Sequence, residues 1–290
     1  MIASIRTLAF GLLVLFAPTV FADDPPPDVK KFLDTLHYRT GTVDVKGGHS
    51  TLKLTEDFRY LEAHDAQRVL QAWGNPPDKT VLGMILPATL SPVDRNSWAV
   101  VITYSDDGHV SDEEAAKMDY AKMLKDMQES TRDSNDERKK QGYETVDLVG
   151  WATPPHYDAA TNKLYWAKEL AFSGEPEHTL NYDIRVLGRG GYLSLNAIAG
   201  ISQLPMVESK MQNVLAMTEF DQGQRYGDFN ASTDKIAAYG IGALVAGTIA
   251  AKAGLFAKLI AVIIAAKKII IAGLIAVGAA FKKFFSRKKG

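Results

Sequence analysis

The 290-residue chain contains no cysteine. Disulfide staples, thiolate zinc sites and cysteine nucleophiles are excluded, although the compartment is not fixed, because exported proteins need not carry disulfides. Acid is missing from both ends. No Asp or Glu precedes Asp23 or follows Asp234. Of the 33 basic residues, Arg6 alone precedes Asp23 and ten lie from Lys235 onward; this leaves 22 against all 34 acids, a net of −12 over residues 23–234. The whole-chain charge of −1 therefore hides an acidic middle and an acid-free tail of +10. An acidic middle argues against nucleic acid as a partner, since phosphate-tracking proteins place Lys and Arg on the face that meets the backbone. Catalytic signatures are missing as well: the chain has no G-x-S-x-G, H-E-x-x-H, G-x-x-x-x-G-K or EF-hand pattern. Its six histidines (37, 49, 64, 109, 156 and 178) include no pair at metal-ligand spacing, so neither a metal nor a cofactor is expected.

What is present begins with residues 1–22, which have the parts of a secretory signal. Arg6 supplies the charge, Leu8 to Ala17 the apolar run, and Val20-Phe21-Ala22 a cleavage site. An uncleaved N-terminal anchor is the alternative. A linker over 23–40, with Pro25-Pro26-Pro27, is expected next.

At the other end, Ile236 to Ala251 runs without a charge. At 1.5 Å per residue it covers about 24 Å of a ~30 Å hydrocarbon core, and Lys235 and Lys252 can snorkel from its ends. A transmembrane helix is expected over 236–257, with Gly240, Gly242 and Gly247 offering surfaces for helix–helix association. A buried Ala/Gly helix in a soluble core is the alternative. Residues 258–290 form a basic apolar tail. As a second span it would hold Lys267 and Lys268 in mid-bilayer, at about 2.5–3.5 kcal/mol each. At 100° per residue Lys258, Lys267, Lys268, Lys282 and Lys283 share one half of the helix circumference, which suits a helix lying on anionic headgroups. That arrangement is preferred to a hairpin of two spans.

The soluble part, 41–220, reads as α+β, mainly an antiparallel β-meander packed with helices. Strands are expected at 42–45, 50–54, 81–86 and 98–105, with an amphipathic helix at 62–73. Ser111-Asp112-Glu113-Glu114 has the S-x-x-E form of a capping box ahead of a charged helix reaching Gln141, with a break near Thr131–Asn135. Strands 163–170 and 180–187 and the segment Tyr192 to Ile198 complete the meander, and a helix at 203–217 buries Leu204, Val207, Met211, Val214 and Leu215. Residues 221–235 form a connector.

A group of segments carries a family resemblance: WGNPP (73–77), DGHVSDEEA (107–115), NDERKKQGY (135–143), GWATPPHYD (150–158), KLYWAKEL (163–170), LNYDIRVLGR (180–189), DKIAAYGIGALVAG (234–247) and AKAGL (251–255). Together they resemble the bacterial membrane-anchored proteins grouped as domain of unknown function 2167. The resemblance implies a bacterial envelope protein and brings no activity, cofactor or catalytic residue. Combined with the charge distribution, it places the soluble domain in the periplasm and the tail on the cytoplasmic side of the inner membrane.

Two constellations are candidates for chemistry. His156 and Asp158, in a loop expected after a strand, are an acid/base candidate, although Asp158 also suits a turn. The second is the polar side of the meander. If the hairpin register sets Trp166 and Lys168 opposite Arg185 and Asp183, a cation–π contact and an ion pair form beside Asn181. That side is either a binding face for an envelope partner or a sheet surface stabilised by cross-strand pairs. The function expected is a tethered, non-catalytic binding module; a transport or assembly role for the C-terminal helices and a periplasmic hydrolase are the alternatives.

Overall fold

The computed structural model describes residues 27–247 apart from 74, 76, 95 and 141–143. The signal at 1–22, the tail at 258–290 and Lys252, Lys258, Lys267, Lys268, Lys282 and Lys283 lie outside the described residues. The chain opens with α1 (Pro27–Asp34) and β1 (Tyr38–Arg39), where a linker was expected. There follow β2 (Thr42–Val45), β3 (Ser50–Lys53), β4 (Phe58–Glu62), α2 (Ala63–Ala72), β5 (Val81–Pro87), β6 (Ala99–Ser105) and β7 (His109–Ser111). Then come α3 (Tyr120–Lys140), β8 (Val146–Asp158), β9 (Lys163–Phe172), β10 (Thr179–Leu187) and β11 (Tyr192–Gly200). The last elements are α4 (Leu204–Met217), β12 (Thr218–Phe220), β13 (Ile236–Gly240) and α5 (Ile241–Ala246).

Eight of the strands form one antiparallel sheet in the order β1-β4-β5-β6-β11-β10-β9-β8. The expected meander β9-β10-β11 is its centre and one wing. On the first face Tyr60, Ile85, Ile102, Tyr182 and Leu195 pack against Val207, Met211 and Val214 of α4 and against the small sheet β12-β3-β2 through Leu52 and Phe220. The alternation of β10 produces this face: Leu180, Tyr182, Ile184 and Val186 all enter the same cluster.

The second face carries two separate clusters. Over β4–β6, Leu61, Met84, Leu86 and Val101 meet Ala66, Val69 and Leu70 of α2. Over β9–β11, Val110, Leu164, Trp166, Leu187 and Tyr192 meet Ala237 of β13 and Ile241, Leu244 and Val245 of α5. An antiparallel sheet with one solvated face would leave every second residue of β10 exposed; here only Thr179 is more than slightly accessible.

This last cluster corrects the helix expected from Ile236. Residues 236–240 are a strand, parallel to β7, and α5 has six residues, ended by Gly247 in the left-handed conformation at φ 66°. Gly108, at φ 113°, makes the parallel pairing possible, because a Cβ there would sit 2.8 Å from the Lys235 carbonyl. That carbonyl accepts from the His109 N–H at 2.8 Å, while the rest of Lys235 is exposed. Among the described residues no helix is long and apolar enough to cross a membrane.

The helix following β7 also differs. Ser111 closes a strand, and its Oγ reaches only the Glu113 N–H at 3.4 Å. Glu114 does not close a capping box; its Oε1 accepts from the Gly242 N–H at 3.0 Å and so ties the C-terminal segment down. The cap of α3 is Asp119, whose Oδ1 accepts from Lys122 N–H at 2.9 Å. The helix then runs unbroken through Thr131–Asn135, because its uncharged side chains have work at the edge of β8. Asn135 bonds both the N–H and the C=O of Val146 at 2.9 Å, and Gln128 donates to the Leu148 and Val149 carbonyls. Helix α3 thus covers part of an edge strand that would otherwise present open backbone.

Candidate functional site

The polar side of β9–β11 holds a buried group of interacting charges. The hairpin register pairs Asp183 with Trp166, Asn181 with Lys168 and Arg185 with Leu164. This lies two residues from the pairing expected. An even offset leaves every side chain on its own face, and both expected contacts form diagonally. Lys168 Nζ is 3.4 Å from Asp183 Oδ2, and the Arg185 guanidinium carbon lies 5.1 Å from the Trp166 ring centroid.

Asp183 is the centre of the group. Its Oδ1 accepts from Arg185 Nη1 at 3.1 Å and from Asn196 Nδ2 at 2.8 Å. Burial pushes this carboxyl up, but Lys168, Arg185 and the Asn196 amide together outweigh it and hold the group below the usual carboxylate range. Asn181 stands beside the pair, its amide 3.5 Å from Asn196 Oδ1. The side chain of Asp183 is 3% exposed, that of Arg185 11% and that of Lys168 22%. The group is therefore largely covered, with the carboxylate buried deeper than the two cations, and is not an open face. Among the described residues two cations pair with this one acid, which leaves the group one positive charge in excess. Trp166 Nε1 and Thr103 Oγ1, both buried, have no hydrogen-bond partner among the described residues.

His156 and Asp158 fall two residues apart, close enough that, after the Thr161 hydroxyl, the imidazole helps hold the carboxyl below its ordinary range. They lie in β8, not in a loop; Pro154 and Pro155 fit there because β8 is an edge strand whose register shifts between Thr153 and His156. His156 is opposite Tyr165 with ring centroids 5.2 Å apart. Both Asp158 oxygens serve the following turn, accepting from Ala160 N–H at 2.9 Å and Thr161 Oγ at 2.6 Å. The Thr161 hydroxyl is the main reason its carboxyl sits below the usual range.

Sequence reasoning missed the groups that fasten the C-terminal segment. Asp112 accepts from Tyr157 at 2.7 Å and Tyr226 at 3.0 Å, Asp107 accepts from Tyr239 at 2.5 Å, and Arg189 makes a two-pronged pair with Asp234 at 2.7 and 2.9 Å. Burial is the largest cause pushing all three tyrosines up, and the carboxylate each one bonds adds to it. His109 is sandwiched between Tyr226 at 4.2 Å and Phe229 at 3.9 Å, and burial pushes its imidazole down. Asp65 is a further junction. It accepts from the His37 N–H and side chain, from His64 and from Arg68, all within 3.1 Å. Among the described residues no group of three or more His, Asp or Glu is placed to hold a metal.

The fold defines an α+β domain with a large antiparallel sheet covered on both faces, its C-terminal segment forming part of one cover. The chain belongs to the family described as "Protein of unknown function (DUF2167)", which matches residues 37–278. No curated protein matches the chain. Solved structures similar to it include the following two. The solution structure of cyanobacterial PsbP (CyanoP) from Synechocystis sp. PCC 6803 shares 14% identity at a TM-score of 0.34, covering 64% of this chain and 92% of that one. The crystal structure of LpqN, involved in cell envelope biogenesis of Mycobacterium tuberculosis, shares 15% identity at a TM-score of 0.31, covering 66% of this chain and 95% of that one. At those TM-scores the likeness carries no functional argument.

Proposed function

We propose that the protein is a non-catalytic binding module of the bacterial cell envelope, its folded domain in the periplasm and its basic C-terminal tail held at the inner membrane. The observation that carries this reading is the seating of residues 236–246. Ile241 is fully buried against the sheet, and Arg189, Glu114, Asp107 and Asp112 fasten the segment and its approach. The chain is therefore held on the folded domain as far as residue 246, and the sequence from Thr248 onward carries no acid. An apolar tail carrying nine basic residues and no acid suits an anionic bilayer face. The turn that occupies both Asp158 oxygens supports binding over hydrolysis.

The test is crosslinking in intact cells followed by capture of a tagged chain. One form carries its own tail, and a second carries an unrelated membrane anchor in place of residues 248–290. Recovery of the same partners with both supports a module whose folded domain does the binding. Recovery of nothing beyond a tag-only control, or loss of the partners with the native tail, overturns it.

A further inference from the structure

We propose that the cluster formed by Lys168, Arg185 and Asp183 is an oxyanion-binding site, taking a single phosphate or carboxylate group. Charge points to it first. Lys168 and Arg185 both face Asp183, so one carboxylate serves two cations at a place where Asp183 itself is buried. An uncompensated charge in low dielectric is costly unless a counter-charge joins it. The missing partner is thus an anion of about one charge, not a cation or an apolar group.

Donor geometry agrees. Among the described residues Lys168 pairs with Asp183 alone, and Arg185 spends only Nη1, on Asp183 and the Ile184 carbonyl. The remaining guanidinium N–H groups form a planar fork of the type that grips carboxylate or phosphate. Both cations are more exposed than the acid beneath them, so an arriving anion meets donors before it meets Asp183. Trp166 stands opposite Asp183 in the register with Arg185 stacked over its ring, so its indole signal reports on what the guanidinium binds. The site concerns the folded domain alone and adds a ligand class to the binding role proposed above. Its test uses small probes, so its failure is distinguishable from a failure to capture an envelope partner.

The experiment follows the four indole N–H signals of the nitrogen-15-labelled full chain in nanodiscs, with Trp166→Phe assigning its own peak. One arm titrates inorganic phosphate, then acetate, into zwitterionic nanodiscs at constant ionic strength. The other replaces part of the lipid with phosphatidylglycerol and adds no soluble anion. A saturable shift of the Trp166 peak is expected in at least one arm, and the arm identifies a soluble or a headgroup oxyanion as the source. Lys168→Met should weaken the response at least ten-fold. Asp183→Asn removes the competing internal carboxylate and should tighten it about ten-fold, a gain that a purely structural ion cluster does not predict. If Asp183→Asn does not fold, Arg185→Lys, which keeps the charge and loses the fork, is expected to weaken binding instead. No saturable shift in either arm, or equal responses from wild type and Lys168→Met, overturns the site.

Discussion

Replacing Ile241 by alanine separates a segment that belongs to the folded domain from one that belongs to the bilayer. Ile241 is 0% exposed and packs with Leu164, Trp166, Tyr192 and Leu244. Removing its three outer carbons leaves a cavity in a covered sheet face, at a cost of about 2–5 kcal/mol for Ile→Ala in a protein core. In a domain of this size each kcal/mol moves the melting midpoint by about 2–4 °C. Taking about 3 kcal/mol, the expected loss is roughly 6–12 °C. Lipid facing residue 241 would instead cost under 1 kcal/mol, because no packed cavity forms and alanine remains compatible with the bilayer. The assay is thermal unfolding of the full chain in detergent, followed by near-ultraviolet circular dichroism, which reads the tertiary environment of the aromatics. A midpoint within about 2 °C of wild type would refute the reasoning that 236–246 is part of the core.

Three further outcomes follow from the same packing. Gly191→Ala would place a Cβ 1.8 Å from the Ser105 carbonyl, whereas at Gly190 the nearest atom is 3.8 Å away. The first should lower stability by about 1–3 kcal/mol or more and the second hardly at all, as urea titration would show. Asn135→Ala leaves both Val146 backbone groups unpaired at the edge of β8 and should cost about 1–3 kcal/mol, with concentration-dependent self-association visible in sedimentation. For pH, burial pushes Asp65 up, but the His37 N–H, His37, Arg68 and His64 outweigh it and hold its carboxyl well below the usual range. A depressed acid stabilises the fold above its unfolded value of about 3.9, and that contribution is lost as pH falls further. Urea midpoints measured from pH 6 to pH 3 should therefore fall more steeply in wild type than in Asp65→Asn; parallel profiles would exclude Asp65 as the source.

Periodicity made much of the sheet legible. The strict alternation of Leu180, Tyr182, Ile184 and Val186 identified both the strand and its core face, and the diagonal contacts of Lys168 and Arg185 survived a two-residue register offset because strand periodicity is two. Alternation says which side chains share a face. It does not say whether that face is covered, and the cover over Trp166 comes from residues more than fifty positions later. That cover is itself the least legible segment. Ile236 to Ala251 is free of charge, and the same Ala- and Gly-rich composition satisfies a lipid environment and a protein core alike. What distinguishes them at 236–246 is a set of distant partners, Gly108, Glu114 and Asp107, which no local pattern connects to the tail. The edge position of β8 was hidden in the same way, because two prolines before His156 read as a loop until the neighbouring strand is known.

The most direct measurement exploits the missing cysteines. Single variants Ser130→Cys, on the exposed side of α3, and Ser286→Cys, in the tail, are each labelled in spheroplasts with a membrane-impermeant maleimide. A periplasmic domain with its tail at the inner membrane gives labelling at residue 130, none at residue 286 until the membrane is permeabilised, and recovery of both proteins in the membrane fraction. Protection of residue 130, or recovery of the protein in the soluble fraction, would contradict it.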